Sequence, residues 1–114
     1  MLPTLALVSL AISPWSGKDL PTATQAAAKY RLSIAGKPGT TVRLTASGIA
    51  DGWIAAFCNE RVCSPMQVSE KIPASGKMVV QFELIRETDN APHASGAVIR
   101  TSDGRVVRVP NATR

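Results

Sequence analysis

The sequence predicts an all-β fold, an antiparallel β-sandwich contained in a single domain. Apolar and polar residues alternate with a period of two along several short segments, and turn residues separate these segments roughly every eight to twelve residues. Outside the N-terminus no segment has a helical period. The chain has 114 residues, enough for one domain, and an apolar fraction of 45%, enough for a packed core.

The first two strands are predicted at residues 30–35 and 41–46, because both segments alternate apolar and polar side chains. Between them, Pro38 and Gly39 predict a turn, since proline presets φ and glycine accepts a positive φ. We expect their inward side chains to be Tyr30, Leu32, Ile34, Val42, Leu44 and Ala46.

The strongest strand is predicted at residues 77–87. One of its faces is apolar, whereas the second mixes apolar residues with Gln81 and Glu83, which indicates a strand that is central or close to an interface. A weaker strand is predicted at residues 66–72, with Val68 facing inward. Asp103 and Gly104 lie between two β-branched runs and predict a hairpin. With the cysteine segment, about seven strands result, typical of an immunoglobulin-like antiparallel β-sandwich, with a small barrel as the alternative.

The N-terminal residues 2–12 form an apolar run. A spanning helix needs about 20 residues, so this run fits better the hydrophobic region of a secretory signal. We therefore predict a signal peptide, or an uncleaved anchor plus spacer, at residues 1–28, the sandwich at 29–110 and a tail at 111–114. Cleavage is expected among the small residues at 22–28, although no Lys or Arg precedes the run. An ordinary N-terminal strand is the alternative.

This segment predicts an exported protein of the periplasm, the cell surface or the extracellular space. Membrane contact is expected only through the N-terminal segment, if that segment is not cleaved.

The two cysteines, Cys58 and Cys63, lie in one segment that begins at Gly52 and Trp53. Cysteines in exported proteins usually pair, and four intervening residues can fold back to bring the Cα atoms within the ~4.4–6.8 Å that a disulfide needs. The segment therefore predicts a disulfide that fixes a local turn. Trp53 is expected in the core or at its rim.

Other chemistries for this segment are less well supported. A redox dithiol usually has two residues between its cysteines, at a helix N-terminus. Catalysis by a cysteine needs a base, and His93 is the only histidine. A soft metal such as copper would suit a set of Cys58, Cys63, Met66, Met78 and His93, but Met78 has a core role available on its strand and no ligand-spacing motif accompanies the set. We predict neither an enzyme nor a cofactor.

The formal net charge is +5, and the Lys and Arg residues are scattered singly along the chain. Nucleic-acid binders more often cluster them and interleave aromatic residues, so we predict no nucleic-acid partner. The outward positions predicted for Arg31, Arg43, Arg100 and Arg108 indicate either a solvated surface or a surface for an anionic partner.

The order of these features resembles immunoglobulin-like accessory modules of bacterial exported and surface proteins. The resemblance rests on Pro38-Gly39, the strand at 41–46, Gly52-Trp53, the turn at 73–76 and the strand at 77–87, and the Trp53, Cys58 and Cys63 spacing resembles a disulfide-clipped variant. It covers residues 29–110 and implies a non-catalytic spacer, surface or assembly unit.

We therefore expect an exported binding or structural module, a subunit of an envelope or extracellular assembly with a protein partner. The alternative function is a periplasmic copper- or thiol-handling protein that uses Cys58, Cys63, Met66 and His93.

Overall fold

A computed structural model describes residues 8–15, 28–58, 63–87 and 96–110. All regular elements among these residues are strands. Within the same residues, no helix is long and apolar enough to cross a membrane. The strands are β1 (Ser9–Pro14), β2 (Ala28–Ala35), β3 (Thr41–Ser47), β4 (Trp53–Cys58), β5 (Cys63–Pro65), β6 (Gln67–Lys71), β7 (Lys77–Arg86), β8 (Val98–Thr101) and β9 (Val106–Arg108).

Two antiparallel sheets pack together, which confirms the predicted β-sandwich. One sheet has the strand order β1-β2-β7-β4-β5, and the other has the order β6-β3-β8-β9. Their facing sides form one core, because alternate residues of each strand point between the sheets. The six inward residues predicted for the first two strands are all buried there. The largest fully buried apolar side chains include Leu32, Leu44, Phe57, Phe82 and Ile99.

The strand β7 lies in the middle of the five-stranded sheet, as predicted. It pairs with β2 through Tyr30↔Phe82 and with β4 through Phe57↔Phe82. Its second face is also partly covered, because Gln81 and Glu83 are buried. The mixed composition of that face therefore corresponds to two buried polar side chains joined by a hydrogen bond.

The described part of the N-terminal segment belongs to the sandwich. The strand β1 pairs with β2 from Ser9↔Ala35 to Pro14↔Tyr30, and Val8 is 2% exposed within the core. The sandwich thus begins before residue 29, and the described residues match the alternative of an ordinary N-terminal strand. The signal peptide or anchor remains a prediction, and residues 22–27 of the expected cleavage region lie outside the described residues.

The cysteine segment folds as two strands, and the chain then crosses between the sheets at Met66. The Met66 backbone N–H donates to the Ala55 carbonyl of the five-stranded sheet, at 3.0 Å. Its carbonyl accepts from the Ala46 N–H of the four-stranded sheet, at 2.8 Å. Met66 has a φ of 66°, unusual for a residue other than glycine. The following strand contains Val68, half-buried as predicted.

Tight turns join several strands. The predicted Asp103-Gly104 hairpin connects β8 to β9, and Gly104 has a φ of 96°. At another turn, Gly48 has a φ of 69°, and a Cβ there would lie 2.5 Å from the Gly96 carbonyl oxygen. Glycine is therefore required at position 48, for its backbone conformation and for the close approach of two segments.

Candidate functional site

Each strand of the four-stranded sheet carries one cationic side chain on the outer face of that sheet. Arg43 lies on β3, Arg100 on β8, Arg108 on β9 and Lys71 on β6, each at a position that alternates with inward residues. Register places them on a diagonal across the sheet. Lys71 pairs with Thr41 and Arg100 with Thr45, each two residues from Arg43 on β3. Arg108 pairs with Val98, two residues from Arg100 on β8. All four side chains are exposed. We call Lys71, Arg43, Arg100 and Arg108 the basic face.

In the part of the chain that the structure describes, the outward positions of this sheet hold no carboxylate. Besides the four cations they carry only hydroxyl, amide and valine side chains, namely Thr41, Thr45, Ser47, Gln67, Ser69, Val98 and Val106. Glu70 on β6 pairs with the inward residue Val42 and therefore lies on the inward side of the strand. Within the described part of the chain, none of the four cations forms an ion pair. The face therefore presents an uncompensated positive potential to solvent.

Arg31 does not belong to the basic face. It lies on β2, on the outer side of the other sheet, and is half-buried. Its guanidinium carbon lies 4.6 Å from the centroid of the Trp15 ring, within the range of a cation–π contact. The structure thus brings three of the four predicted arginines together and adds Lys71. Lys71 was not among the predicted residues, although an inward Val68 gives Lys71 the outward parity three positions further along the same strand.

Comparisons with known proteins return no match. No protein-family model, no curated protein and no solved structure matches this chain. The resemblance to immunoglobulin-like accessory modules therefore remains a prediction, and the site is interpreted from its own geometry.

A disulfide joins Cys58 and Cys63, as predicted. The two residues lie directly opposite each other on β4 and β5, with a Cα–Cα distance of 4.0 Å. Because Phe57 points into the core, Cys58 points to the outer face of the five-stranded sheet. Cys58 is 1% exposed, whereas Cys63 on the edge strand is accessible to solvent.

Glu83 lies beside this disulfide. It is on β7, adjacent to β4, where Ala56 pairs with Glu83 and Cys58 with Gln81. A carboxylate oxygen of Glu83 and the two Sγ atoms lie within 4.8 Å of one another. Glu83 is 1% exposed and accepts a hydrogen bond from Gln81 Nε2, at 2.6 Å. We call Cys58, Cys63 and Glu83 the cysteine cluster.

The predicted soft-metal set of Cys58, Cys63, Met66 and His93 stays a prediction. Met66 lies at the crossover between the sheets and is 39% exposed, and Met78 packs against the core. His93 lies outside the described residues. In the disulfide, each sulfur is bonded to the other and is not a thiolate ligand. Glu83, which the prediction did not include, is the residue that the fold places beside the cysteines.

A shallow groove crosses the outer face of β1, β2 and β7. It has a volume of about 460 Å³, and Val79 on its floor is 51% exposed. Its described lining contains no carboxylate, histidine or cysteine. The lining residues are Ser9, Ala11, Ser33, Ile34, Ala35, Lys77, Met78 and Val79.

Proposed function

We propose that this chain is a non-catalytic binding module of an exported assembly, and that its basic face binds an acidic surface of a protein partner. The observation that carries the proposal is the basic face itself. Four cations project from four paired strands, and among the described residues no carboxylate occupies an outward position of that sheet.

The chemistry of the face suits carboxylates. Each arginine presents a planar guanidinium that can donate two parallel hydrogen bonds to one carboxylate. The hydroxyl and amide side chains between the cations can donate further hydrogen bonds. Since the backbone beneath them is held by ladder hydrogen bonds, little backbone ordering is needed on binding. Attraction between such charges accelerates association and weakens as salt rises.

A protein partner is favoured over nucleic acid. Single-stranded nucleic acids are commonly bound by aromatic side chains that stack on bases, between basic residues. Among the outward positions described for this sheet no residue is aromatic. The surface, with valines and hydroxyls between arginines, has the mixture of apolar and polar groups found in protein interfaces.

Two further features support an exported, immunoglobulin-like module. The neighbours β1-β2-β7-β4 and β3-β8-β9 correspond to the ABED and CFG orders of immunoglobulin domains, although β6 pairs with β3 only after the chain has passed through the other sheet. A disulfide is typical of oxidising compartments outside the cytosol.

The test compares two variants with the same change in net charge. Arg43→Glu/Arg100→Glu alters the basic face, whereas Lys37→Glu/Lys77→Glu alters exposed lysines elsewhere. The probes are fluorescent polyglutamate and a DNA duplex of equal charge, measured by anisotropy at several salt concentrations. We expect the arginine variant to bind polyglutamate at least about tenfold more weakly than wild type, and the lysine variant to change by less than about threefold.

Equal losses in the two variants would show that binding follows net charge and does not use the basic face. If the duplex binds more tightly than polyglutamate, the proposed protein partner would be wrong and the partner would be a nucleic acid. If both expected results are obtained, a pull-down from envelope extracts with wild type and the arginine variant can identify the partner.

A further inference from the structure

The cysteine cluster places three potential metal ligands on one face of three adjacent strands. Cys63 comes from β5, Cys58 from β4 and Glu83 from β7, and each strand is hydrogen-bonded to the next. Cys58 and Glu83 alternate with core residues, so both point to the outer side of the sheet. The ligand atoms therefore meet because of the register of the sheet, and they lie within 4.8 Å of one another.

The distances suit a tetrahedral ion. With Zn–S bonds of about 2.3 Å and Zn–O bonds of about 2.0–2.2 Å, tetrahedral geometry places the sulfurs about 3.8 Å apart and each sulfur about 3.6 Å from the oxygen. The ligand atoms of the cysteine cluster already lie within 4.8 Å of one another.

Glu83 is oriented before any metal arrives. Gln81 Nε2 donates to Glu83 Oε1, at 2.6 Å, and Gln81 is itself buried. Partners of this kind orient metal ligands, and their loss commonly lowers metal affinity. The limited solvent access of Cys58 and Glu83 further strengthens their attraction for a cation.

We infer that reduction of the Cys58–Cys63 disulfide creates a binding site for a zinc-like divalent ion, held by both thiolates and the Glu83 carboxylate. This inference does not depend on the proposed partner of the basic face. It replaces Met66 and His93, the additional ligands predicted from sequence, with Glu83. Water would occupy the fourth position, as in sites with three protein ligands.

The redox step balances with a dithiol as reductant. A thiolate of the dithiol attacks the accessible Cys63 sulfur, the Cys58–Cys63 bond breaks, and Cys58 leaves as a thiolate that takes up a proton. The second thiol of the reductant then displaces Cys63 and closes as a disulfide. Two electrons and two protons have passed to the protein, and metal binding releases two protons from the thiols. The oxidised chain, which has no thiolates in the cluster, is expected not to bind.

The test uses the full chain, reduced with a dithiol that is then removed by anaerobic gel filtration. Co²⁺ is the probe, because tetrahedral thiolate sites give strong visible and charge-transfer bands, and Zn²⁺ is added to displace it. We expect one Co²⁺ per reduced chain and none per oxidised chain. Glu83→Gln should weaken binding at least about tenfold. The control Glu70→Gln, with the same change in charge on β6, should leave it unchanged.

Three results would each overturn the inference: the reduced chain does not bind Co²⁺, it binds equally well in both glutamine variants, or it loses its β-sheet circular dichroism on reduction. A second variant, Cys63→Ser on the accessible edge strand, covers the case in which Glu83→Gln does not fold. It should lower the affinity and about halve the thiolate charge-transfer band. An unchanged band would also overturn the inference.

Discussion

The backbone N–H of Val8 donates a hydrogen bond to the Asp103 carboxylate, at 2.9 Å, across 95 positions of the chain. Asp103 also accepts a hydrogen bond from Thr101 Oγ1 within the last hairpin. One carboxylate thus joins the start of the described chain, beside one sheet, to a turn of the other sheet. The N-terminal strand is fastened at this end as well as through its pairing with β2.

Stability should depend on the ionisation of Asp103. Burial alone would raise the pKa of this carboxyl, but the hydrogen bonds from Thr101 and the backbone N–H groups of Val8 and Arg105 hold it below its ordinary value. A lowered folded-state pKa stabilises the fold above the unfolded pKa, and this stabilisation is lost as pH falls through the folded pKa. We expect Asp103→Asn to reduce the free energy of unfolding at pH 7 by about 0.5–1.5 kcal/mol.

The difference between Asp103→Asn and wild type should shrink as pH falls below about 4, the ordinary pKa of Asp. Urea unfolding between pH 3 and 7 measures it. Asp51→Asn, at an exposed turn residue, is the control and should show a small effect. A difference that did not vary with pH would contradict the role given to the charged carboxylate.

The N-terminal strand should contribute directly to stability. Val8 lies in the core, and its side chain is within reach of Gly36, where an added Cβ would be 3.1 Å from Val8 Cγ1. Val8→Ala would leave a cavity and should lower the free energy of unfolding by about 1–3 kcal/mol. The neighbouring Ser9→Ala, at an exposed position, should change it by less than about 0.5 kcal/mol. Similar values for both variants would mean that this strand contributes little.

The prediction of export and the position of β1 can be tested together. A chain cleaved among residues 22–28 would lose β1, and β2 would become an edge strand with unpaired backbone groups. We expect such a chain to unfold more readily or to self-associate through β2. Intact mass of the protein from its native compartment shows whether residues 8–15 remain. Chemical unfolding of the full chain and of a chain starting at residue 28 then measures what β1 contributes.

The disulfide should stabilise the fold modestly. It closes a loop with a sequence separation of 5, and the loop-entropy relation gives about 2 kcal/mol for so short a loop. Cys58→Ala/Cys63→Ala should therefore unfold at lower denaturant but retain the β-sheet spectrum. A loss of folded structure in this variant would show that the disulfide is required for the fold itself.

The effect of substituting Met66 on stability should depend on its backbone conformation. Its φ of 66° lies in the left-handed region, which β-branched residues rarely adopt and asparagine tolerates. Because the side chain is largely outside the core, changes in packing should be small. We expect Met66→Val to destabilise by about 1–3 kcal/mol and Met66→Asn to be close to neutral, as measured by thermal and urea unfolding. Equal effects of the two would contradict an origin in the backbone.

Local patterns in the sequence determined the class of fold and much of its core. Alternation with a period of two requires opposite faces for successive side chains, so Leu32, Leu44 and Phe82 could be assigned inward without knowledge of their neighbours. Asp103 and Gly104 determined a hairpin because their backbone preferences match its turn. The pairing of Cys58 with Cys63 followed from there being no other cysteine.

Tertiary structure decided which of these local units meet. Alternation assigns a residue to a face of its strand but contains no information about the neighbouring strand or the register. The approach of Glu83 to the disulfide, the gathering of Arg43, Arg100 and Lys71 on one face, and the pairing of β1 with β2 all depend on register. Burial stabilises an apolar run whether the run forms a strand of a sheet or another apolar segment, such as the hydrophobic region of a leader. Composition therefore does not distinguish the two. For that reason, composition alone assigned the N-terminal run to a leader, whereas long-range hydrogen bonds place its described residues in the sandwich.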